Sequence, residues 1–321
     1  MPRQYKSDRD WLENHLRALM EIGKKVRQFD TQLQASMPLY TYDKGYWTGL
    51  KLICLNYYLP TYINILGKNN RIAYVDLFCG PGLNLIGDRK VPVPGSAIIP
   101  IEHYKTKKGF DFHLYGDTNT EYIHALKRRL ECYASIPSYS FRMEMADAIR
   151  EDANNLARRA PDILSEKDID HCLVFVDPEG FQLKWSSLEY FVNNFPNSDL
   201  IILFPSAGLP RVLGRKDKAT WNTIKDFIGP GSECLDQNSS EDDAIALYRN
   251  NLANLGKDIS TQIAVTGSGS FHYHLIPAVR NTQSGSPWFD SFREVKRRIE
   301  SLDSEIVNII AQQIDGLQGT L

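Results

Sequence analysis

The stretch RIAYVDLF at residues 71–78, followed at once by CGPG at residues 79–82, decides the predicted fold. It is a short, β-branched apolar run closed by turn residues, which indicates a buried strand that ends in a tight loop. Further apolar runs follow, with helical segments between most of them, at residues 112–115, 141–145, 172–176 and 200–204. Apolar strands that alternate with helices predict a mostly parallel sheet covered by helices on both faces.

Helical spacing of apolar residues predicts additions on either side of this sheet. Residues 8–35 and 46–66 are predicted helices, and Pro60 should kink or divide the second. The stretch 83–94 is expected to be irregular, and a helix capped by Ser96 should follow. Segments 262–265 and 271–279 predict an antiparallel hairpin on the sheet edge, and 288–315 a C-terminal helix. We divide the chain into an N-terminal helical extension (1–40), a Rossmann-like domain (41–285) and a C-terminal helix (286–321).

Composition excludes several classes of protein. The chain has 321 residues, with 37 Lys and Arg against 39 Asp and Glu, so any nucleic-acid site must be a local patch. Five scattered cysteines without zinc spacing indicate a reduced, cytoplasmic protein with no predicted metal site. The sequence shows neither a membrane-spanning segment nor a signal peptide, so no membrane association is expected.

Four acids accompany the successive predicted strands: Asp76, Asp117, Asp147 and Asp177. Ligands of doubly wound sheets bind at the carboxyl ends of the strands, where these acids should meet. Neither the dehydrogenase pattern GxGxxG nor the phosphate loop GxxxxGK[ST] occurs there. The layout matches that of S-adenosylmethionine (SAM) methyltransferases, in which such acids take the methionine ammonium, the ribose hydroxyls and the adenine amine.

The fourth acid begins the turn Asp177-Pro178-Glu179-Gly180-Phe181, which resembles the [DNS]PP[YFW] turn of amino-methyltransferases. There, the acid and a backbone carbonyl accept hydrogen bonds from the target amine while an aromatic ring stacks on the base. Catalysis of this kind is mainly positioning. Glu179 stands where an aromatic residue or proline is usual.

Several of these motifs together resemble the three-Cys-motif partner proteins. They are KLICLNYYLPTY (51–62), YVDLFCGPG (74–82), PGSA (94–97), MADA (145–148) and FVDPEGF (175–181) followed by Trp185. The family is similar to class I SAM-dependent methyltransferases and is named after a neighbouring radical-SAM-type protein. The resemblance implies a Rossmann-like class I methyltransferase fold, the cofactor SAM, and a partner protein that carries the three-Cys motif or belongs to an antiviral defence system.

The resemblance also implies roles for individual residues. The cofactor loop would comprise Asp76, Phe78, Cys79, Gly80, Pro81 and Gly82. Asp117 would take the ribose, and Asp147, with Ala148 beside it, the adenine. Asp177, Pro178 and Phe181 would form the catalytic, acceptor-facing turn. Cys79 replaces a common small alanine and is expected to be a small loop residue rather than a nucleophile.

Local basic residues mark candidate sites for binding of the methyl acceptor. Arg211, Arg215 and Lys216 follow the fifth predicted strand and, with Glu179, are the candidate substrate residues. Basic clusters at 127–129 and 296–298 are weaker candidates for phosphate contact, because they do not follow the fifth strand on the substrate side, and a solvated face is the commoner reason for such clusters.

The leading hypothesis is a SAM-dependent methyltransferase that acts on an amine or base in nucleic acid. A non-catalytic adaptor of a multi-protein defence or modification system is the alternative, favoured by Glu179. A metal-dependent nuclease using Asp177, Glu179 and Lys184 is a minor alternative. His272 and His274 are expected to be structural.

Overall fold

The computed structural model describes residues 5–33, 40–105, 108–209, 218–236, 238–267, 272–282, 286–302 and 304–318. Its helices are α1 (Asp8–Gln32), α2 (Trp47–Leu66), α3 (Thr120–Ala134), α4 (Ala153–Glu166), α5 (Trp185–Asn194), α6 (Lys218–Ile228), α7 (Glu241–Asn254), α8 (Asp290–Ile299) and α9 (Ser304–Gln318). Its strands are β1 (Tyr42–Lys44), β2 (Ile72–Asp76), β3 (Leu83–Ile86), β4 (Val91–Pro94), β5 (Phe112–Asp117), β6 (Ala146–Arg150), β7 (His171–Val176), β8 (Ser198–Phe204), β9 (Ile259–Ser260), β10 (Ile263–Thr266) and β11 (His272–Val279). None of the described helices is both long enough and apolar enough to cross a membrane.

The central sheet has the strand order β10-β11-β8-β7-β2-β5-β6, with β9 paired to β11. Strands β8, β7, β2, β5 and β6 run parallel, whereas β11 is antiparallel to both of its main neighbours. The order reverses beside β2, so a crevice opens there at the carboxyl ends of the strands. This topology confirms the predicted class I methyltransferase fold, and the predicted hairpin is the antiparallel edge pair β10–β11.

Alternate residues of the buried strands point into two separate hydrophobic cores. In β7, Leu173 and Phe175 join one core, while Cys172, Val174 and Val176 join the other. The first core is covered by α1, α2, α3, α8 and α9, and the second by α4, α5, α6 and α7. Burial on both faces explains why these strands are apolar at every position.

The N-terminal helix packs against elements from distant parts of the chain. Helix α1 contacts β4, α2, α3 and α9, and a side chain at Gly23 would overlap the backbone of Pro92 and Val93. Helix α2 is continuous through Pro60, so the expected division is wrong. The predicted C-terminal helix is two helices, α8 and α9.

Three local predictions between residues 83 and 150 are wrong. The stretch 83–94, expected to be irregular, forms the antiparallel pair β3–β4, which joins β1 in a small second sheet. The helix expected near 95–104 is a 3₁₀ helix over Ile99–Lys105. The apolar run 141–145 lies before the third strand, which is Ala146–Arg150. That shift moves the strand's end, and with it the acids that face the crevice.

Candidate functional site

A cavity of about 540 Å³ occupies the crevice at the carboxyl ends of β2, β5, β6 and β7. Its wall on the other side comes from β1 and α2. The volume falls within the range of about 300–1,000 Å³ that is typical of small-molecule sites. Five carboxylates and two lysines line it: Asp117, Glu151, Asp152, Asp177, Glu179, Lys44 and Lys51. The excess of carboxylates favours a ligand that carries positive charge.

The glycine turn after β2 forms one wall, and its shape requires glycine. Gly80 and Gly82 have φ values of +58° and +84°, a region that other residues rarely adopt. A side chain at Gly95 would come within 2.8 Å of the Cα atom of Gly82, so the two backbones lie in close contact. The predicted residues Phe78, Cys79, Gly80, Pro81 and Gly82 all line the cavity.

Asp117, at the end of β5, lies beside this turn. One of its carboxylate oxygens accepts a hydrogen bond from the Gly80 N–H at 3.2 Å, and the other from the Asn119 N–H at 2.8 Å. Burial raises the pKa of Asp117, while those two N–H donors act in the opposite direction. Each carboxylate oxygen has a second lone pair, so Asp117 can still accept hydrogen bonds from a ligand in the cavity.

Asp147 does not lie at the cavity, so its predicted placement is wrong. It is exposed in the middle of β6, paired in register with Leu114. Ala148 is buried in the first core. The acids after the strand that reach the cavity are Glu151 and Asp152. Asp152 also caps α4, and Glu151 forms an ion pair with Arg159 at 2.6 Å.

Asp76 supports the glycine turn from below and does not line the cavity. Its carboxylate is fully buried and accepts a hydrogen bond from the Phe78 N–H at 3.1 Å. Burial raises the pKa of Asp76 to about 7, against hydrogen bonds from Ser96 and Phe78 that lower it. The predicted direct contact with a cofactor ammonium group therefore becomes a role in shaping the turn.

Two lysines hold the turn that follows β7. The Lys51 Nζ lies 2.5 Å from a carboxylate oxygen of Asp177, and the Lys44 Nζ lies 3.2 Å from Glu179. The Lys44 ammonium group also lies 3.6 Å from the centre of the Tyr42 ring. Burial and, to a smaller extent, the neighbouring charge of Lys51 together lower the pKa of Lys44 to about 8, against Asp177, which raises it.

Two of the remaining predicted acceptor residues, Pro178 and Phe181, do not line the cavity. Pro178 is buried beneath the turn, and the Phe181 ring packs edge-on against Phe227 with the ring centres 5.2 Å apart. Phe181 contributes to the second core, so its predicted place on the acceptor side is corrected. The candidates Arg211, Arg215 and Lys216 lie outside the described residues.

Comparison with known proteins finds solved structures that are distantly similar to this chain, but no matching family. No protein-family model matches the chain, and no curated protein matches it. Among solved structures, protein LPL1258 of Legionella pneumophila is 11% identical with a TM-score of 0.46, over 77% of this chain and 90% of that one. Trm1 of Pyrococcus horikoshii, solved with SAM, is 13% identical with a TM-score of 0.37, over 74% of this chain and 57% of that one.

Magnesium protoporphyrin IX methyltransferase of Synechocystis, also solved with SAM, is 11% identical with a TM-score of 0.38. That likeness covers 72% of this chain and 78% of the other. At this level of identity and superposition, none of these proteins assigns an activity or a substrate to the chain.

One arginine from each predicted basic cluster makes ion pairs within the fold, and Cys79 is a buried loop residue. Arg129, in one of the basic clusters, is fully buried and forms an ion pair with Asp30 at 2.6 Å. Arg298, in the other cluster, forms ion pairs with Asp8 and Glu294. Burial raises the pKa of the Cys79 thiol well above its usual value, which argues against a nucleophilic thiolate.

The minor nuclease alternative finds little support in the arrangement of its residues. Lys184 forms an ion pair with Asp226 at 3.2 Å and does not line the cavity. Within the described ranges, no group of three or more His, Cys, Asp or Glu side chains is arranged to hold a metal ion.

Sequence reasoning missed four charged residues of the site, namely Lys44, Lys51, Glu151 and Asp152. Lys51 carried a usable signal, because it stands alone in the apolar run LKLICL of a predicted buried helix. Charged side chains are almost never fully buried unless they are paired, so such a lysine predicts a nearby carboxylate. Lys44 gave no comparable signal, since it lies in a polar segment.

Proposed function

We propose that this chain is a SAM-dependent methyltransferase that transfers a methyl group to an amine of its acceptor. One observation carries the proposal: the glycine turn, the acids after β5 and β6, and the Asp177 turn all open into one acid-lined cavity. These carboxylate acceptors suit a cofactor with a cationic amino-acid end, two vicinal hydroxyls and an aromatic amine. When bound, SAM supplies an electrophilic methyl group.

The residues of the chain then divide the work. The backbone of the glycine turn allows close approach of the cofactor, and Asp117 accepts hydrogen bonds from the ribose hydroxyls. Glu151 and Asp152 take the place that the sequence assigned to Asp147, next to the adenine. Asp177 accepts a hydrogen bond from the acceptor amine and holds the nitrogen lone pair toward the methyl group, which is catalysis by positioning.

Calorimetric titration with S-adenosylhomocysteine, the product of such a reaction, tests the cofactor part of the proposal. We expect Asp117→Asn to weaken binding by about tenfold or more. The amide of asparagine replaces one of the two acceptor oxygens with an NH2 group, which cannot accept a hydrogen bond. Asp147→Asn is the matched control, since it removes the same charge from an exposed position outside the cavity. Absence of binding to the unaltered protein at millimolar ligand would overturn the proposal.

Transfer is tested with SAM that is radiolabelled on its methyl group, incubated with cellular RNA, DNA and protein fractions. Label in RNA or DNA that is lost in Asp177→Asn supports an amine or base in nucleic acid as the acceptor. Label in protein alone contradicts that acceptor class but keeps the methyltransferase.

A non-catalytic adaptor remains the second candidate, and one observation favours it. Both carboxylates of the turn, on Asp177 and Glu179, are already paired with lysines, and Phe181 packs away from the cavity. Binding of S-adenosylhomocysteine without transfer to any fraction would support the adaptor. The expected partner with a three-Cys motif, or from a defence system, stays a prediction that co-purification can test.

A further inference from the structure

One end of the cavity carries two lysines that the proposed cofactor contacts do not use. Lys51 is nearly buried in α2, with 8% of its side chain exposed, and it lines the cavity wall. Its ammonium group has three N–H donors, of which Asp177 takes one. Among the residues that the structure describes, no second acceptor for Lys51 is found. The unused hydrogens of Lys51 can therefore be donated to water or to a ligand in the cavity.

Lys44 lies on the same side, nearer the opening. Its side chain is 27% exposed, and its partner Glu179 is 61% exposed, so this pair is weak and readily exchanged. The two ammonium groups are close enough for Lys51 to disfavour the charged form of Lys44. An anion bound to both would relieve that repulsion and satisfy the unused donors.

The two ends of the cavity differ in charge: both lysines lie at one end, where each is paired with a carboxylate of the turn after β7, Asp177 or Glu179. Asp117, Glu151 and Asp152 follow β5 and β6, while both lysines come from the β1–α2 wall beside the turn after β7. We propose that Lys44 and Lys51 form an oxyanion site, which binds a carboxylate or phosphate group of a ligand held in this cavity. Which ligand carries the group rests on the proposed function.

Two sources of the oxyanion are compatible with that position. One is a phosphate of the acceptor, which is favoured because each lysine is paired with a carboxylate of the Asp177 turn. The other is the methionine carboxylate of the cofactor, since the glycine turn lines the same cavity. The chemistry of recognition is the same, because a Lys ammonium group binds either as a point charge with strong donors.

The test uses the full chain and the variants Lys51→Met and Lys44→Met, which remove the charge and keep much of the apolar stem. Lys167→Met is the matched control, because Lys167 is exposed, caps the end of α4 and does not line the cavity. Three probes are titrated by calorimetry: inorganic phosphate, S-adenosylhomocysteine and decarboxylated SAM. Thermal unfolding verifies that each variant is folded. If Lys51→Met does not fold, Lys44→Met provides the test, because Lys44 is more exposed.

An acceptor phosphate is indicated if phosphate binding falls about tenfold in both cavity variants while S-adenosylhomocysteine binds as before. A cofactor carboxylate is indicated if S-adenosylhomocysteine weakens by that factor and decarboxylated SAM is insensitive to the substitutions. The inference is overturned if no probe distinguishes the cavity variants from Lys167→Met. Should the adenosyl ligands fail to bind any variant, the proposed function fails, and the phosphate titration alone still decides the oxyanion site.

Discussion

Two guanidinium nitrogens of Arg129 donate to the two carboxylate oxygens of Asp30, at 3.0 and 2.6 Å, across 99 residues of sequence. A third contact from Arg129, at 2.6 Å, reaches the carbonyl oxygen of Pro81 in the glycine turn. One buried side chain on α3 therefore fixes both the N-terminal helix and the wall of the cavity.

Arg129→Met is expected to lower the free energy of unfolding by about 3–5 kcal/mol, because it leaves Asp30 without its buried partner. Arg128→Met is the matched control. Arg128 is the next residue on the same helix, and its ion pair with Glu131 is about half exposed. That substitution should cost about 1 kcal/mol or less. Urea unfolding measures both values, and equal losses would show that the buried pair contributes no more than the exposed one.

The buried Asp76 should make stability fall as pH rises through neutrality. Its pKa is about 7 in the folded protein against an ordinary 3.8, so the folded state holds a proton that the unfolded chain releases. Stability from this group is complete below pH 4 and is lost toward pH 7 at about 1.4 kcal/mol per pH unit. Asp76→Asn cannot titrate, so its stability relative to the unaltered protein should rise between pH 5 and 7.

Urea unfolding at several pH values checks this, with exposed Asp147→Asn as the control. The buried Asp199, whose pKa burial raises to about 6, titrates in all three proteins and cancels in the comparison. Parallel stability curves for Asp76→Asn and the unaltered protein would contradict the assignment.

Gly82→Ala should damage both stability and ligand binding. Its φ of +84° is strained for alanine, and the new methyl group would lie 3.0 Å from Leu126. We expect a loss of about 1–2 kcal/mol and weaker binding of S-adenosylhomocysteine. Gly256→Ala is the control, because its φ is +79° but a side chain there meets open space. If both variants bind the ligand equally well, the turn does not shape the cavity as described.

Phe181→Leu separates the packing role of this ring from the acceptor role that the sequence predicted. Because the ring packs against Phe227 in the second core, the variant should lose about 1 kcal/mol of stability. Transfer of radiolabel, once an acceptor fraction is found, should persist at a rate within about twofold of that of the unaltered protein. A large loss of transfer in a stable variant would return Phe181 to the acceptor site.

The sequence predicted the sheet well because its inner strands are buried on both faces. It misplaced β6 for the opposite reason: this strand lies at the edge of the sheet, and only Ala148 of its five residues is buried. The apolar residues of 141–145 resembled a strand more closely than Ala146–Arg150 does. Because of this error, the acid expected at the cavity was Asp147, whereas Glu151 and Asp152 line it.

The other errors in the site involve contacts between distant segments. Lys51 and Asp177 are 126 residues apart, and no local pattern reports that they meet. The turn motif before Phe181 predicted an aromatic ring that stacks on a base. The ring instead packs against Phe227 of α6, a contact that the local sequence does not report. Local patterns predict where strands end, whereas the partner of each side chain depends on the assembled layers.

The ion pair between Asp8 and Arg298 joins positions 290 residues apart. During synthesis, therefore, the first helix emerges from the ribosome long before this partner exists. Neighbours of α1 such as β4 are translated early, but the contacts of α1 with α8 and α9 can form only after residues 290–318 have been translated. Until then, one flank of the first core stays open to solvent and to chaperones.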